Sequence, residues 1–500
     1  MHLRAGKILS MLLCTLAVAT LIIPYQNLIF LPESSNVASA AFSFKPNIVV
    51  IMTDDLDQRS LDLLLQEGLM PNLKRHIIDK GVTFSDSLAT YPLCCPSRAT
   101  FLTGQYPHNH DVWNNAPPLG GVTKLNDSST LATWLQDSGY HTDFVGKYLN
   151  RYGIDTELTY IPPGWNDWQA TTGSSTYWMF GYTFNDNGVL VKYGNKWSEY
   201  QTDIVAKRSV EVINERESSD ATPFFLYINP LAPHEDGRTT TCELNYGDIK
   251  STRPAPRHIG TTAGLNFLDL MPPSFNEEDV NDKPWRLRYQ PLNSTHIACL
   301  DDLFHARLES MRAVDDLIGK VTTALVNNNE LWKTVFVFTS DNGFLLGEHR
   351  FHGKQKVYEE SIKLPLYMRV PQVAPQTIDK LVINNDLAPT FLEFARAEAG
   401  IEIDGRSLVP LINDPSISWR NGVLIEDLLY TAIRTEDYVY AIQGSGFKEI
   451  YDLNSDPYEL ENAASKEPWK SKIPALEEWR AALEACAGMT CQTAENRAAP

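Results

Sequence analysis

Short, unbroken apolar runs that stop on polar clusters recur along this chain. In KPNIVVIMTDD, the run Ile48–Met52 is rich in β-branched residues and ends on two aspartates. PFFLYINPLAPH (Pro223–His234) ends in a proline-rich loop carrying one histidine, and TVFVFTSDNG (Thr334–Gly343) ends in Asp-Asn-Gly. Runs of this kind are expected as strands buried on both faces of a parallel sheet, with side chains delivered from their carboxyl ends. Between them lie helix-period segments. From Leu303 to Asn328 the positions Leu308, Met311, Val314, Leu317, Ile318 and Val321 form one apolar face. Strands alternating with helices predict an α/β fold, a large mostly parallel sheet flanked by helices, whose ligands sit beyond the strand carboxyl ends.

From about Pro371 the texture changes. NNDLAPTFLEFA reads as one more helix of the main domain. VLIEDLLYTAIRTEDYVYAI and KEIYDLNSDPYELENAA then alternate strand-like runs with turns, and IPALEEWRAALEACAG is helical. This predicts a smaller C-terminal antiparallel sheet subdomain, residues 415–500, after a catalytic domain over 44–400. The stretch Thr239–Asn293, dense in Pro, Asn and Asp, is expected to be loop or insertion.

Composition narrows the class. The 500 residues are 43% hydrophobic and 21% charged, an ordinary globular balance. At the N-terminus, Arg4 and Lys7 precede an apolar run, Ile8–Ile23, and Ala38-Ser39-Ala40 offers a cleavage site. Residues 1–40 therefore read as a signal peptide, with an uncleaved membrane anchor as the alternative. Either way the body lies outside the cytoplasm, secreted or extracytoplasmic. The formal charge of −19 becomes −20 without residues 1–40, since Arg4, Lys7 and Glu33 leave together. Such an acidic body excludes nucleic acid, and it excludes a membrane surface unless the N-terminal segment is retained. Six cysteines follow Cys14. Cys486 with Cys491 and Cys242 with Cys299 are the expected disulfides, which leaves Cys94 and Cys95, for which a vicinal disulfide is the plain expectation.

Asp54-Asp55 and Asp341-Asn342, each closing a buried strand, supply hard oxygen ligands suited to Ca²⁺ or Mg²⁺. In YPLCCPSRATFLTG, Pro96 is expected as the first helical residue, Cys95 as the cap and Gly104 as the terminator. Cys94 would sit just ahead of a helix N-terminus with Arg98 one turn in, an electropositive setting. There a cysteine serves as an activated thiolate, a metal ligand or a modified residue.

Cys94-Cys95-Pro96-Ser97-Arg98 followed by Leu102-Thr103-Gly104 resembles the signature C-x-P-S-R-x-x-x-L-T-G of the sulfatase family. The resemblance runs across almost the whole mature chain through IVVIMTDD, Gly146-Lys147, Pro233-His234, TSDNG, GKQKVYE and YDLNSDPYELEN. CCPSR, YPHNHDV and GKYLNRYG are most similar to the N-acetylglucosamine-6-sulfatases and the extracellular heparan endosulfatases, which places the resemblance in the N-acetylglucosamine-6-sulfatase / arylsulfatase branch. The resemblance implies an alkaline-phosphatase-like fold. It also implies oxidation of Cys94 to Cα-formylglycine (3-oxoalanine) by a dedicated generating enzyme during export. The implied reaction is hydrolysis of sulfate monoesters, aryl or N-acetylglucosamine-6-sulfate, through a hydrated aldehyde nucleophile and a covalent sulfated intermediate.

By the same resemblance, Asp54, Asp55, Cys94, Asp341 and Asn342 would bind one Ca²⁺. Arg98 would hold the hydrate, Lys147 and Lys354 would contact sulfate oxygens, and His234 would be the acid at the leaving oxygen. One departure is Leu149, where many arylsulfatases carry a histidine; Asn150 beside it cannot act as a base. His108, His110, His349 and His352 are candidates for that role or for substrate contact. The expected partner is a sulfated small molecule or glycan. Phosphate or phosphonate ester hydrolysis, and non-catalytic glycan binding, are the alternatives.

Overall fold

The computed structural model describes residues 44–217, 222–239, 241–244 and 247–500. The signal-peptide reading of residues 1–40 and the side chain of Cys242 lie outside the described residues. The three apolar runs become the strands Asn47–Thr53, Phe224–Asn229 and Thr334–Ser340, every residue buried. They lie side by side, Asn47–Thr53 pairing in parallel with both others. Across the ten-stranded sheet the order is Gln376–Ile383, Val82–Leu88, Leu366–Arg369, Thr334–Ser340, Asn47–Thr53, Phe224–Asn229, His141–Gly146, Asp167–Thr171, Thr183–Asp186 and Val189–Lys192. Only Leu366–Arg369 and Thr183–Asp186 run against the other eight.

Both faces are covered, as a parallel core requires. On one face Val49, Ile51, Phe336 and Phe338 pack with the long helix Ser294–Asn327 through Leu308, Met311, Val314 and Leu317. That helix starts nine residues before the expected Leu303. Asn293 caps it, accepting from the backbone N–H groups of Thr295 and His296. On the other face Ile48, Val50 and Val337 pack with Phe101, Leu131 and Phe391, carried by Cys94–Thr103, Leu131–Asp137 and Leu387–Ala395. Among the described residues no helix is long and apolar enough to cross a membrane.

The C-terminal texture resolves into a four-stranded antiparallel sheet, Gly422–Glu426, Tyr430–Thr435, Tyr438–Gln443 and Lys448–Asp452. The helix Trp469–Glu484 covers it through Leu476, Trp479 and Leu483. This sheet shares an apolar core with Leu88, Tyr106 and Ile383 of the main body. Arg420 is fully buried between the two, its guanidinium bidentate on Asp386 (2.7 Å to each oxygen) and its Nε 3.1 Å from Glu495. Cys486 and Cys491 form the expected disulfide, and Cys299 is disulfide-bonded.

Two expectations about Cys94 and Cys95 are corrected. Both are free thiols, not a vicinal disulfide. The helix begins at Cys94 itself, with Leu93 as the extended N-cap whose carbonyl accepts from Ser97 N–H at 3.0 Å. Pro96 is thus the third helical residue, where its missing N–H is one of the four a helix leaves unpaired anyway. Successive helical side chains diverge by about 100°, so Cys94 and Cys95 face different neighbours. Gly104 ends the helix in the left-handed region, φ 69°, as expected.

Candidate active site

Four adjacent parallel strands end at one place and deliver the sequence-predicted residues there. Asn47–Thr53 runs into Asp54 and Asp55, Thr334–Ser340 into Asp341 and Asn342, His141–Gly146 into Lys147, and Phe224–Asn229 into the loop holding His234. The helix Cys94–Thr103 lays Cys94 and Arg98 against these ends. The hairpin Leu345–Leu346/His352–Gly353 brings Lys354 from the opposite side. Close approach of two strand ends depends on Gly146 (φ 117°): a Cβ there would lie 2.1 Å from the Asn229 carbonyl oxygen, and the same oxygen accepts from Lys147 N–H at 2.9 Å.

The cluster is tightly paired. The Cys94 thiol lies 3.4 Å from Asp54 Oδ1 and 2.8 Å from Lys354 Nζ. Lys147 Nζ donates to Asp54, and Lys354 Nζ to Asp55. Arg98 donates from Nε to Asp341 Oδ2 at 2.8 Å and from Nη1 to Asn229 Oδ1 at 2.8 Å. His234 Nε2 is 3.7 Å from Asp55 Oδ2. All nine sequence-predicted residues are therefore brought together, Asn342 through its amide N–H to Asp55 at 2.7 Å.

The electrostatics are set by burial opposed by charge. Burial favours neutral carboxyls, yet the Lys147 ammonium, with His234 and Arg98, holds Asp54 at about 2. Burial likewise opposes ionised Asp55, and Lys354 with His234 holds it at about 2. Burial, reinforced by the Asp54 charge, pushes the Cys94 thiol far up, so an unmodified Cys94 is a poor nucleophile here. Three carboxylates face Arg98, Lys147 and Lys354, a formal balance of zero. A divalent cation would turn the pocket positive, toward an anion.

The residues fit such a cation. Asp54, Asp55 and Asp341 carboxylates with the Asn342 amide form a hard oxygen set, and Asn342 Oδ1 is buried with no hydrogen-bond partner. Donor atoms of Asp54, Asp55, Cys94 and His234 lie within 4.8 Å of one another.

Three contributors carried no sequence signal. Asn229 orients Arg98. Arg307, from the long helix, donates to the Asp55 carbonyl and fixes that residue at φ 68°. Tyr177 places its ring 5.0 Å from Lys147 Nζ and 5.1 Å from the His234 ring, and its hydroxyl accepts from Asn150 at 2.7 Å. Leu149 is buried in the apolar core. Of the other histidines, His108 is held by Glu426 (2.9 Å), His110 by Thr100 (3.0 Å) and His349 by Glu277 (2.7 Å). Burial, then the neighbouring His108, lowers His110 to about 3. The ring of His352 stacks on Phe351 at 6.0 Å. His234 is the histidine that reaches the Asp54–Asp55 pair.

The family model described as Sulfatase matches residues 46–397, and one described as N-sulphoglucosamine sulphohydrolase, C-terminal, matches residues 347–484. The chain belongs to the sulfatase family. N-acetylglucosamine-6-sulfatase of Capra hircus is 32% identical, covering 91% of this chain and 86% of the relative. An arylsulfatase of Volvox carteri is 29% identical over 91% of this chain and 77% of its own length. A solved structure holding its substrate D-glucosamine-2-N,6-O-disulfate superposes with TM-score 0.72 at 25% identity, covering 87% of this chain and 96% of that one. The sulfatase is thus an enzyme of the alkaline-phosphatase-like fold, as its sequence predicts.

Proposed function

We propose that this sulfatase hydrolyses sulfate monoesters of 6-sulfated glucosamine, and of aryl alcohols as simpler surrogates, from an oxygen nucleophile at position 94. The observation that carries this is the convergence of Cys94, three carboxylates and three permanent cations at the ends of four parallel strands. The substrate class is supported by the 32% identical N-acetylglucosamine-6-sulfatase and by the sugar disulfate held in the similar structure. We take residues 44–400 as the catalytic domain and 415–500 as the part that completes its rim. Localisation follows the N-terminal reading: the enzyme works outside the cytoplasm after a generating enzyme has oxidised Cys94 during export.

Asp54, Asp55, Asp341 and Asn342 would hold a Ca²⁺ ion, which would ease deprotonation of a hydroxyl at position 94, and an aldehyde hydrate there would supply both the attacking hydroxyl and the one that releases sulfate. The protein's own groups do the rest. Lys147 and Lys354 neutralise sulfonyl oxygens as charge builds on them, and they do so where Cys94 and Lys147 are fully buried and each charge counts for more. His234 protonates the departing alcohol; its Nδ1 faces the Glu235 carbonyl at 3.0 Å, which leaves Nε2 toward the site. Arg98 fixes Asp341. Tyr177 walls Lys147 and His234.

The test compares turnover of N-acetylglucosamine-6-sulfate, 4-nitrophenyl sulfate and 4-nitrophenyl phosphate. Sulfate turnover far above phosphate turnover is expected. Parity, or preference for phosphate, would make this a phosphomonoester hydrolase on the same fold.

A further inference from the structure

Next to Lys354 the chain builds a second recess whose chemistry the hydrolytic site does not use. Its volume is about 490 Å³, in the range of small-molecule sites. Gln355 and Lys356 continue directly from Lys354, and Gln355 N–H donates to the Pro92 carbonyl at 3.1 Å, two residues from Cys94. The recess is therefore lined by residues that follow Lys354, which itself touches Cys94. The far walls come from the predicted insertion, through Trp285 and Tyr289, and from the small C-terminal sheet, through Leu429 and Tyr430.

Three features there lack a structural purpose. Trp285 is 66% exposed, with Arg286 against its ring at 5.2 Å. Lys356 is half-buried over the Phe351 ring (4.2 Å), and among the described residues no carboxylate lies within ion-pair distance of it. Burial lowers its ammonium to about 8, with the Asp427 carboxylate opposing. The Tyr430 hydroxyl is buried with no hydrogen-bond partner. An exposed indole face, an unpaired cation and an unused hydroxyl are what a charged sugar requires: a flat apolar surface for the ring, and donors for its anionic and hydroxyl groups.

Resting on the hydrolytic reading above, we infer that this recess is a subsite for the part of a glycan beyond the scissile sulfate, taking the sugar ring on Trp285 and a second anionic substituent on Lys356. In an acidic protein such a local cation is where recognition of a polyanionic chain must be concentrated.

The test uses the full enzyme and four substrates. They are 4-nitrophenyl sulfate, N-acetylglucosamine-6-sulfate, glucosamine-2-N,6-O-disulfate, and a disaccharide joining 6-sulfated N-acetylglucosamine to a uronate. Lys356→Gln is expected to raise KM roughly 10- to 100-fold on whichever of the last two places its second anion in the recess. It should leave the singly sulfated sugar within about 3-fold, and the two anionic arms separate N-sulfate from carboxylate. Trp285→Ala should raise KM about 10-fold on sugars. Both variants should keep wild-type kcat/KM on 4-nitrophenyl sulfate and a wild-type melting curve. Equal losses on aryl and sugar sulfates, or unchanged KM on both doubly anionic substrates, overturn the subsite alone. A wild-type enzyme inert on every sulfate overturns the hydrolytic reading and the subsite with it.

Discussion

Cys94 and Cys95 are adjacent in sequence and equally buried, yet they should respond oppositely to the same substitution. Cys95 packs in the apolar core with Ala99 and Leu102. Cys95→Ala removes one buried sulfur and leaves a cavity of about that size, a cost of about 1–2 kcal/mol. Unfolding entropy of about 2.1 cal/mol/K per residue, over the roughly 460 residues of the compact unit, gives about 1 kcal/mol/K. The expected fall in Tm is therefore only about 1–2 °C, with kcat on 4-nitrophenyl sulfate kept within about 3-fold. Cys94→Ala removes the nucleophile position and should lower kcat by about 10⁴-fold or more, with Tm nearly unchanged. Peptide mass spectrometry of the wild type should show residue 94 about 18 Da lighter than a cysteine. Equal activity losses from the two alanine variants would refute the division of labour between these neighbours. An unmodified thiol in an active enzyme would refute the oxygen nucleophile.

Three further outcomes follow from particular contacts. Chelation with EGTA should abolish turnover and added Ca²⁺ should restore it, and Asp341→Asn should weaken Ca²⁺ retention measured by elemental analysis; metal-independent turnover would contradict the ligand assignment. Arg420→Met leaves Asp386 a buried charge without its cation and leaves Glu495 to Arg406 alone, at about 3–5 kcal/mol; by the same entropy, Tm should drop about 3–5 °C, and a drop under about 1 °C would show the Arg420 pairs to be dispensable. Glu360 is raised to about 8, by burial first and then by Glu348, so the folded state holds a proton that the unfolded chain releases near 4.5. Its contribution is complete below about pH 4.5 and is lost as pH rises through about 8. Glu360→Gln should therefore raise Tm at pH 9 relative to wild type and change it little at pH 5, as followed by thermal melts across pH.

The site was legible in the sequence wherever one strand end carries its own polar cluster, as at Asp54-Asp55 and Asp341-Asn342. It was legible again where a long motif surrounds Cys94 and Arg98. The order of the strands was not, because a buried apolar run such as Ile48–Met52 does not name its neighbour. Asn229, Tyr177 and Arg307 escaped for a related reason: each is an ordinary residue made important by a contact from a distant part of the chain. Arg307 lies on the apolar-patterned helix, where a charge reads as solvent-facing, yet it is buried against the Asp55 carbonyl. The start of the Cys94 helix was misjudged because Leu93 caps it by backbone geometry alone. Loops 284–289 and 428–430 form a recess only when brought together, so nothing local announces them.

The burial of Cys94 also has a meaning in time. In the folded protein the thiol has no exposed surface, and the groups that enclose it are made much later than it is: Asp341 and Lys354 past the middle of the chain, Asn384 against Ser97 later still. The helix that follows is clamped last, when Glu495 reaches the Tyr106 hydroxyl at 2.8 Å and Arg420. Any catalyst that oxidises residue 94 must therefore act before the chain folds around it, in the interval between synthesis of CCPSR and closure of these contacts. Conditions that slow folding would lengthen that interval and raise the fraction of converted molecules; fast, complete folding of an unconverted chain would seal an inactive enzyme permanently.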